Sequence, residues 1–248
     1  MPRTASKKSK SGIYHIMIRG INRQDIFKDD EDKEKFIQTV VVCKDKCDFQ
    51  IYGYCLMSNH IHLLIKDENL AITMRKICAS YVYWYNSKYK RSGHLYQDRF
   101  KSEVIEDDSY LLTVLRYIHQ NPLKAGMIKN IADYKWSSYS EYLGEQNKQK
   151  IVDVGFVLDI ISKEQFINYN NDKNQDECLE YTQTVKLDDN EAREIIKKIS
   201  GVKNISEIQV FEKSKRNDII RNLKAIEGLS IRQIARITGI TRKIIEIK

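Results

Sequence analysis

His60 and His62 sit one residue apart in Met57-Ser58-Asn59-His60-Ile61-His62-Leu63-Leu64-Ile65, in a chain of 248 residues with only five histidines. In a β-strand, side chains return to the same face every second residue, so both imidazoles would point one way. Neutral imidazole is the commonest protein metal ligand, which makes a same-face pair a candidate divalent-cation site. The competing reading is a strand edge whose histidines only bond locally. A metal on such a pair takes a third ligand and keeps positions open for substrate. The run Tyr117-Ile118-His119-Gln120-Asn121-Pro122 would put Tyr117 and Asn121 on one helical face, four residues apart. A tyrosine beside a metal-held phosphodiester can attack phosphorus and form a phosphotyrosine link. Spacing does not single out Tyr117 among 15 tyrosines. Tyr81, Tyr83, Tyr85, Tyr89, Tyr96 and Tyr110 are equally open as core, stacking platform or nucleophile.

These residues need elements to hold them. Ile13 to Ile18 is β-rich and ends at the turn signal Gly20-Ile21-Asn22-Arg23. Asp29 to Cys47 has helical spacing with a charged first turn. Phe49 to Met57 and His60 to Ile65 read as two strands joined by the short turn at Ser58-Asn59, an antiparallel hairpin. A helix is expected over Leu70–Tyr89, broken at Lys90-Arg91-Ser92-Gly93, then a strand over Ser102–Ile105. Asp108–Gln120 reads as a helix opened by Asp107 and closed at Asn121-Pro122. The order β-α-β-β-α-β-α implies an α+β fold with helices packed on an antiparallel sheet.

The net charge of +8 favours polyanionic partners such as nucleic acid. Its distribution is uneven: residues 1–150 carry a net +7, residues 151–185 a net −5 and residues 186–248 a net +6. The reading is a disordered basic arm over 1–11, a first domain over 12–147, an acidic connector over 148–186 and a helical domain over 187–248. In the last of these, Leu229 to Ile245 has a helix-turn-helix pattern. Ile231, Ile234 and Ala235 form an apolar stripe, Gly239 supplies the turn and Thr241 caps a second basic helix. Arg232, Arg236, Arg242 and Lys243 would face duplex DNA, against the alternative of a plain helical hairpin. Five cysteines without zinc-ribbon spacing read as reduced thiols. No apolar stretch approaches the ~20 residues a membrane span needs. With no signal peptide at the N-terminus, the expectation is a cytoplasmic, nucleoid-associated protein with no membrane partner.

Four ordered motifs carry a resemblance. Gly20-Ile21-Asn22-Arg23-Gln24-Asp25-Ile26-Phe27, Met57-Ser58-Asn59-His60-Ile61-His62-Leu63-Leu64, Gly93-His94-Leu95-Tyr96-Gln97-Asp98-Arg99-Phe100 and Arg116 to Gly126 resemble the single-tyrosine HUH (insertion-sequence 200-like) transposases. Within these the resemblance is to the REP-associated tyrosine transposases, over roughly residues 12–143. It implies a ferredoxin-like HUH domain with His60 and His62 central on the sheet. It also implies Tyr117 as nucleophile and Asn121 as third ligand to Mg²⁺ or Mn²⁺. Relatives often carry Gln at the position of Asn121, and Gln120 and His119 are the alternatives. The implied reaction is on single-stranded DNA beside a hairpin of palindromic repeat sequence. Tyr117 attacks the scissile phosphate, leaving a 5′-phosphotyrosine and a free 3′-OH, which a second 3′-OH can reverse without ATP.

Asn22 and Arg23 suit phosphate or base contacts, and Arg99 and Lys101 suit the DNA backbone. Tyr85 and Tyr96 are candidates to stack unpaired bases, whereas Trp84 and Trp136 are assigned to packing. Two other functions stay open at this point: a DNA-binding regulator with an inactive or idle nuclease domain, and a metal-dependent phosphodiesterase using water. The resemblance leaves monomer or homodimer open.

Overall fold

The computed structural model describes residues 8–144, 150–180, 187–226 and 228–247. The chain divides into two compact units, residues 1–180 and 181–248. Residues 1–7 of the expected basic arm lie outside the described residues, whereas 8–11 are held in place. Ser9 N–H donates to Tyr14 Oη at 2.9 Å, and the Lys10 and Ser11 amides donate to the Glu106 carboxylate.

The first unit opens with strand β1 (Ile13–Arg19), helix α1 (Asp30–Lys44), hairpin strands β2 (Gln50–Leu56) and β3 (His60–Lys66), helix α2 (Leu70–Lys88), strand β4 (Lys101–Ile105) and helix α3 (Asp108–Lys124). The strands form one antiparallel sheet in the order β2-β3-β1-β4. With its β-α-β-β-α-β sequence, this is the split βαβ topology. Alternation along the strands gives the sheet two faces. One carries Ile16, Ile18, Ile61, Leu63 and Ile65 into a cluster that includes Phe36 and Val40 of α1 and Ile77 and Tyr81 of α2. The other carries His15, Met17, His60 and His62, because Met17 pairs with His62 and His15 with Leu64 in the register.

α3 crosses this second face. Its N-cap is Asp107, whose side chain accepts from Tyr110 N–H. Gly53 lies at a register irregularity in β2, and a Cβ there would fall 2.3 Å from Leu115 Cδ1. Glycine thus lets helix and strand approach closely. The helix does not stop at Asn121-Pro122 as the sequence suggests. A proline forfeits its own N–H bond and crowds the carbonyl four residues back, yet the helix continues to Lys124. It ends at Gly126 (φ 70°), with Gly126 N–H on Leu123 O and Met127 N–H on Pro122 O, both at 3.0 Å. That double bond pattern is a Schellman cap, so the stop signal is the glycine.

Short helices α4 (Tyr139–Leu143), α5 (Val154–Ile160) and α6 (Lys163–Asn171) follow. The described part of the segment expected as an acidic connector therefore carries two helices up to residue 171 and then an irregular run to Glu180. This run and the end of α6 pack on α3: Gln120 Nε2 donates to Asn170 O at 2.7 Å and Asp172 O at 3.0 Å. Arg116 makes a two-point pair with Asp176, at 2.8 and 3.0 Å.

The second unit contains α7 (Asp189–Ser200), α8 (Lys213–Lys224), α9 (Ile231–Thr238) and α10 (Arg242–Ile247). Ile196, Ile208, Ile220, Leu223, Ile234 and Ile245 form its own apolar core. Ser230 caps α9 through its side chain, which accepts from Gln233 N–H, and Gly239 (φ 73°) ends that helix. Among the described residues no helix is long and apolar enough to cross a membrane.

Candidate active site

Four of the residues singled out from the sequence come together on the α3 face of the sheet. His60 and His62 project from β3, with ring centroids 5.1 Å apart. Tyr117 and Asn121 come from α3, one turn apart. The Tyr117 ring lies 5.7 Å from that of His62, and one Asn121 amide reaches both imidazoles. Its Oδ1 is 3.2 Å from His60 Nε2, and its Nδ2 is 3.3 Å from His62 Nε2.

The orientations of the Asn59 and Asn121 amides assign the protons of the two histidines. Asn59 Nδ2 donates to Arg23 O at 3.4 Å, so its Oδ1 faces His60 Nδ1 at 2.6 Å and accepts the proton there. His60 Nε2 is then a lone pair facing Asn121 Oδ1, itself an acceptor. His62 Nε2 is likewise a lone pair, because it faces the Asn121 amide donor. Burial lowers the pKa of both histidines, that of His62 further because His15 and His60 crowd it with like charge. Both rings are neutral near pH 7. Two imidazole lone pairs that face the two ends of one side-chain amide, together with that amide's oxygen, make a donor set that fits a divalent cation, and the oxygen and His60 Nε2 face each other as acceptors at 3.2 Å. Among the described residues no group of three or more His, Cys, Asp and Glu side chains is placed to hold a metal, so this donor set depends on the amide. The other third-ligand candidates are committed elsewhere. His119 is buried and joined to Asn170 Oδ1 and Ser138 Oγ, both at 2.8 Å, and Gln120 is tied to residues 170–174.

Tyr117 is only 3% exposed. Its hydroxyl donates to Glu180 Oε1, and Lys124 Nζ stands 4.9 Å from its ring centre. Burial raises the phenol's pKa, and the Glu180 carboxylate raises it further. The neutral phenol is the resting form.

Of the expected DNA contacts, Asn22 and Arg23 are exposed in a turn where both have positive φ, 50° and 60°. Non-glycine residues in this region are strained. Arg99 is exposed, and Lys101 Nζ donates to Glu180 O at 3.3 Å. Tyr85 is no stacking platform: it is fully buried, with its hydroxyl on Asp25 O at 3.1 Å. Tyr81 is also core, donating to Ile26 O, while the Tyr96 hydroxyl is buried. Trp136 is buried and donates to Asp30, as a packing residue should. In the second unit Arg232, Arg236, Arg242 and Lys243 are exposed, with Arg236 paired to Asp189 at 2.6 Å.

Sequence reasoning missed three residues around the site. His15 stacks on His62, with ring centroids 5.2 Å apart. Glu103 faces His15 across the sheet, and Glu180 meets Tyr117. For His15 the signal was present, as a third histidine in an apolar strand. Glu180 lay in what read as a connector.

The sheet face thus brings two strand histidines under a helix-borne tyrosine and amide, and residues 8–121 match the family described as "Transposase IS200 like". That match covers 114 of the chain's 248 residues, and over it the chain is similar to that family. Over 148 aligned residues the chain is 28% identical to a Haemophilus influenzae protein named as a REP-associated tyrosine transposase, covering 53% of this chain and 81% of that protein. Within the family, its likeness therefore runs to the REP-associated tyrosine transposases. A solved structure of such a transposase bound to a REP hairpin aligns with a TM-score of 0.49 at 17% identity, over 62% of this chain and 93% of that one.

Proposed function

We propose that the first unit nicks and joins single-stranded DNA at hairpin or palindromic repeat sequence through a 5′-phosphotyrosine on Tyr117. The observation that carries this reading is the placement of Tyr117 one helical turn from Asn121 and against His62, beside the amide that reaches both His60 and His62. His60, His62 and Asn121 would hold Mg²⁺ or Mn²⁺. When bound, such an ion neutralises phosphate oxygens and stabilises the leaving 3′-oxygen.

Tyr117 Oη attacks phosphorus, the new O–P bond forms and the bond to the 3′-oxygen breaks. The phenolic proton passes to Glu180, already its hydrogen-bond acceptor, as a base within reach of a nucleophile. The departing 3′-oxygen takes a proton from solvent. Asn22, Arg23, Arg99 and Lys101 are the contacts proposed for the strand, and Arg232, Arg236, Arg242 and Lys243 those of the second unit for duplex DNA.

The test is incubation with hairpin-flanked single-stranded DNA and Mg²⁺ or Mn²⁺. A denaturation-resistant protein–DNA adduct, absent in Tyr117→Phe, supports the reading. Cleavage that persists in Tyr117→Phe defeats the nucleophile assignment, and cleavage without an adduct points to water. A second reading, a DNA-binding regulator with an idle nuclease, is favoured by one observation: Tyr117 is buried with its hydroxyl engaged. DNA binding without cleavage under every metal would select it.

A further inference from the structure

The sheet register lines up three side chains behind the donor set. His15 lies on β1 directly opposite Glu103 of β4, and one step diagonally from His62 of β3, on the same face. His15 Nε2 is 2.9 Å from His62 Nδ1, and His15 Nδ1 is 3.7 Å from Glu103 Oε2. His15 is fully buried, and neither its Nδ1 nor Glu103 Oε2 has a closer hydrogen-bond partner.

One proton arrangement satisfies the contacts of His62 and His15 with Asn121 and Glu103. The Asn121 amide donor faces His62 Nε2, so that nitrogen is bare and His62 carries its proton on Nδ1. This proton can only go to His15 Nε2, which leaves the His15 proton on Nδ1, aimed at the carboxylate. The opposite tautomers would direct a bare His15 Nδ1 at a carboxylate, acceptor against acceptor. They would also put a proton on His62 Nε2, facing the amide donor.

We propose that Glu103 and His15 are positioning residues that fix the tautomer of His62, so that its Nε2 lone pair faces the site. The inference deepens the metal reading above and rests on it for its functional meaning. Buried ligand histidines are oriented by the partner of their second nitrogen, and loss of that partner typically weakens metal binding about 10–100-fold. What is unusual is that the partner is a second histidine, which passes the carboxylate's preference across a whole strand.

¹⁵N-histidine NMR of the metal-free protein, with calorimetric titration of Mn²⁺ alone, tests it. Wild type should show His62 and His15 both protonated on Nδ1. In Glu103→Ala the His62 signal should become a mixture of tautomers, while Glu103→Asp should restore the Nδ1–H form. His15→Phe and Glu103→Ala should each weaken Mn²⁺ about 10–100-fold with hairpin-DNA binding unchanged. Because His15 is buried, Glu103→Ala on the less buried β4 keeps the test valid if His15→Phe does not fold. An Nε2–H tautomer of His62 in wild type, or an unmoved tautomer in Glu103→Ala, overturns the proposal. If wild type binds no Mn²⁺ the metal reading fails, while the tautomer measurement still decides this one.

Discussion

Asn121 Oδ1 stands 3.2 Å from His60 Nε2, an acceptor opposite an acceptor, while the other end of the same amide reaches His62. With the His60 proton on Nδ1, a cation beside both acceptors would relieve that contact. Asn121→Ala should weaken Mn²⁺ binding about tenfold or more, and Asn121→Asp, which adds a charge, should tighten it. Titration calorimetry reads both. Unchanged isotherms would remove Asn121 from the ligand set.

Glu180 accepts the Tyr117 proton, and its removal tests whether that acceptance is catalytic. Glu180→Gln should slow adduct formation at neutral pH by about 100-fold, within the usual range for a positioned base. The deficit should shrink as pH rises and hydroxide takes over. A faster variant would instead make Glu180 a brake, acting by raising the phenol's pKa.

Gly53 and Leu115 share a space that a methyl group would overfill, with only 2.3 Å to Leu115 Cδ1. Gly53→Ala should cost about 1–3 kcal/mol in denaturant unfolding. Combined with Leu115→Ala, which alone should cost about 2–5 kcal/mol, the loss should be smaller than the two added. Strict additivity would show that the contact is not felt.

His119 is buried and neutral, its pKa lowered to about 4 by burial from 6.5. The unfolded chain takes up that proton as pH falls below about 6.5, while the folded one resists it until about 4. Stability is therefore complete above the unfolded value and declines on acidification across this window, levelling off below it. The drop attributable to His119 is about 3 kcal/mol at most. Chemical denaturation of wild type and His119→Gln at pH 7, 5.5 and 4 reads it. Parallel slopes in the two proteins would contradict a buried neutral His119.

The sheet was legible because its strands are short apolar runs with strong turn chemistry between them, and the His60–His62 pair was legible because a period of two is a local property. The Tyr117–Asn121 face was legible for the same reason on a helix. What was hidden depends on pairing between distant segments. No local signal says that β4 sets Glu103 opposite His15, since register comes from whole strands packing on a core. Polar composition made residues 172–180 read as a connector, but Asp176 and Glu180 meet Arg116 and Tyr117, and those pairings are tertiary. Pro122 misled because one lost hydrogen bond weighs less than a packed helical face with a glycine cap beyond it.

That uninterrupted α3 has a mechanical consequence. Tyr117 and Asn121 ride one stiff rod, anchored at one end by Asp107 and closed at the other by Gly126. Their separation is set by helical pitch and does not change when the rod tilts. A tilt of the rod therefore carries the nucleophile and the amide together.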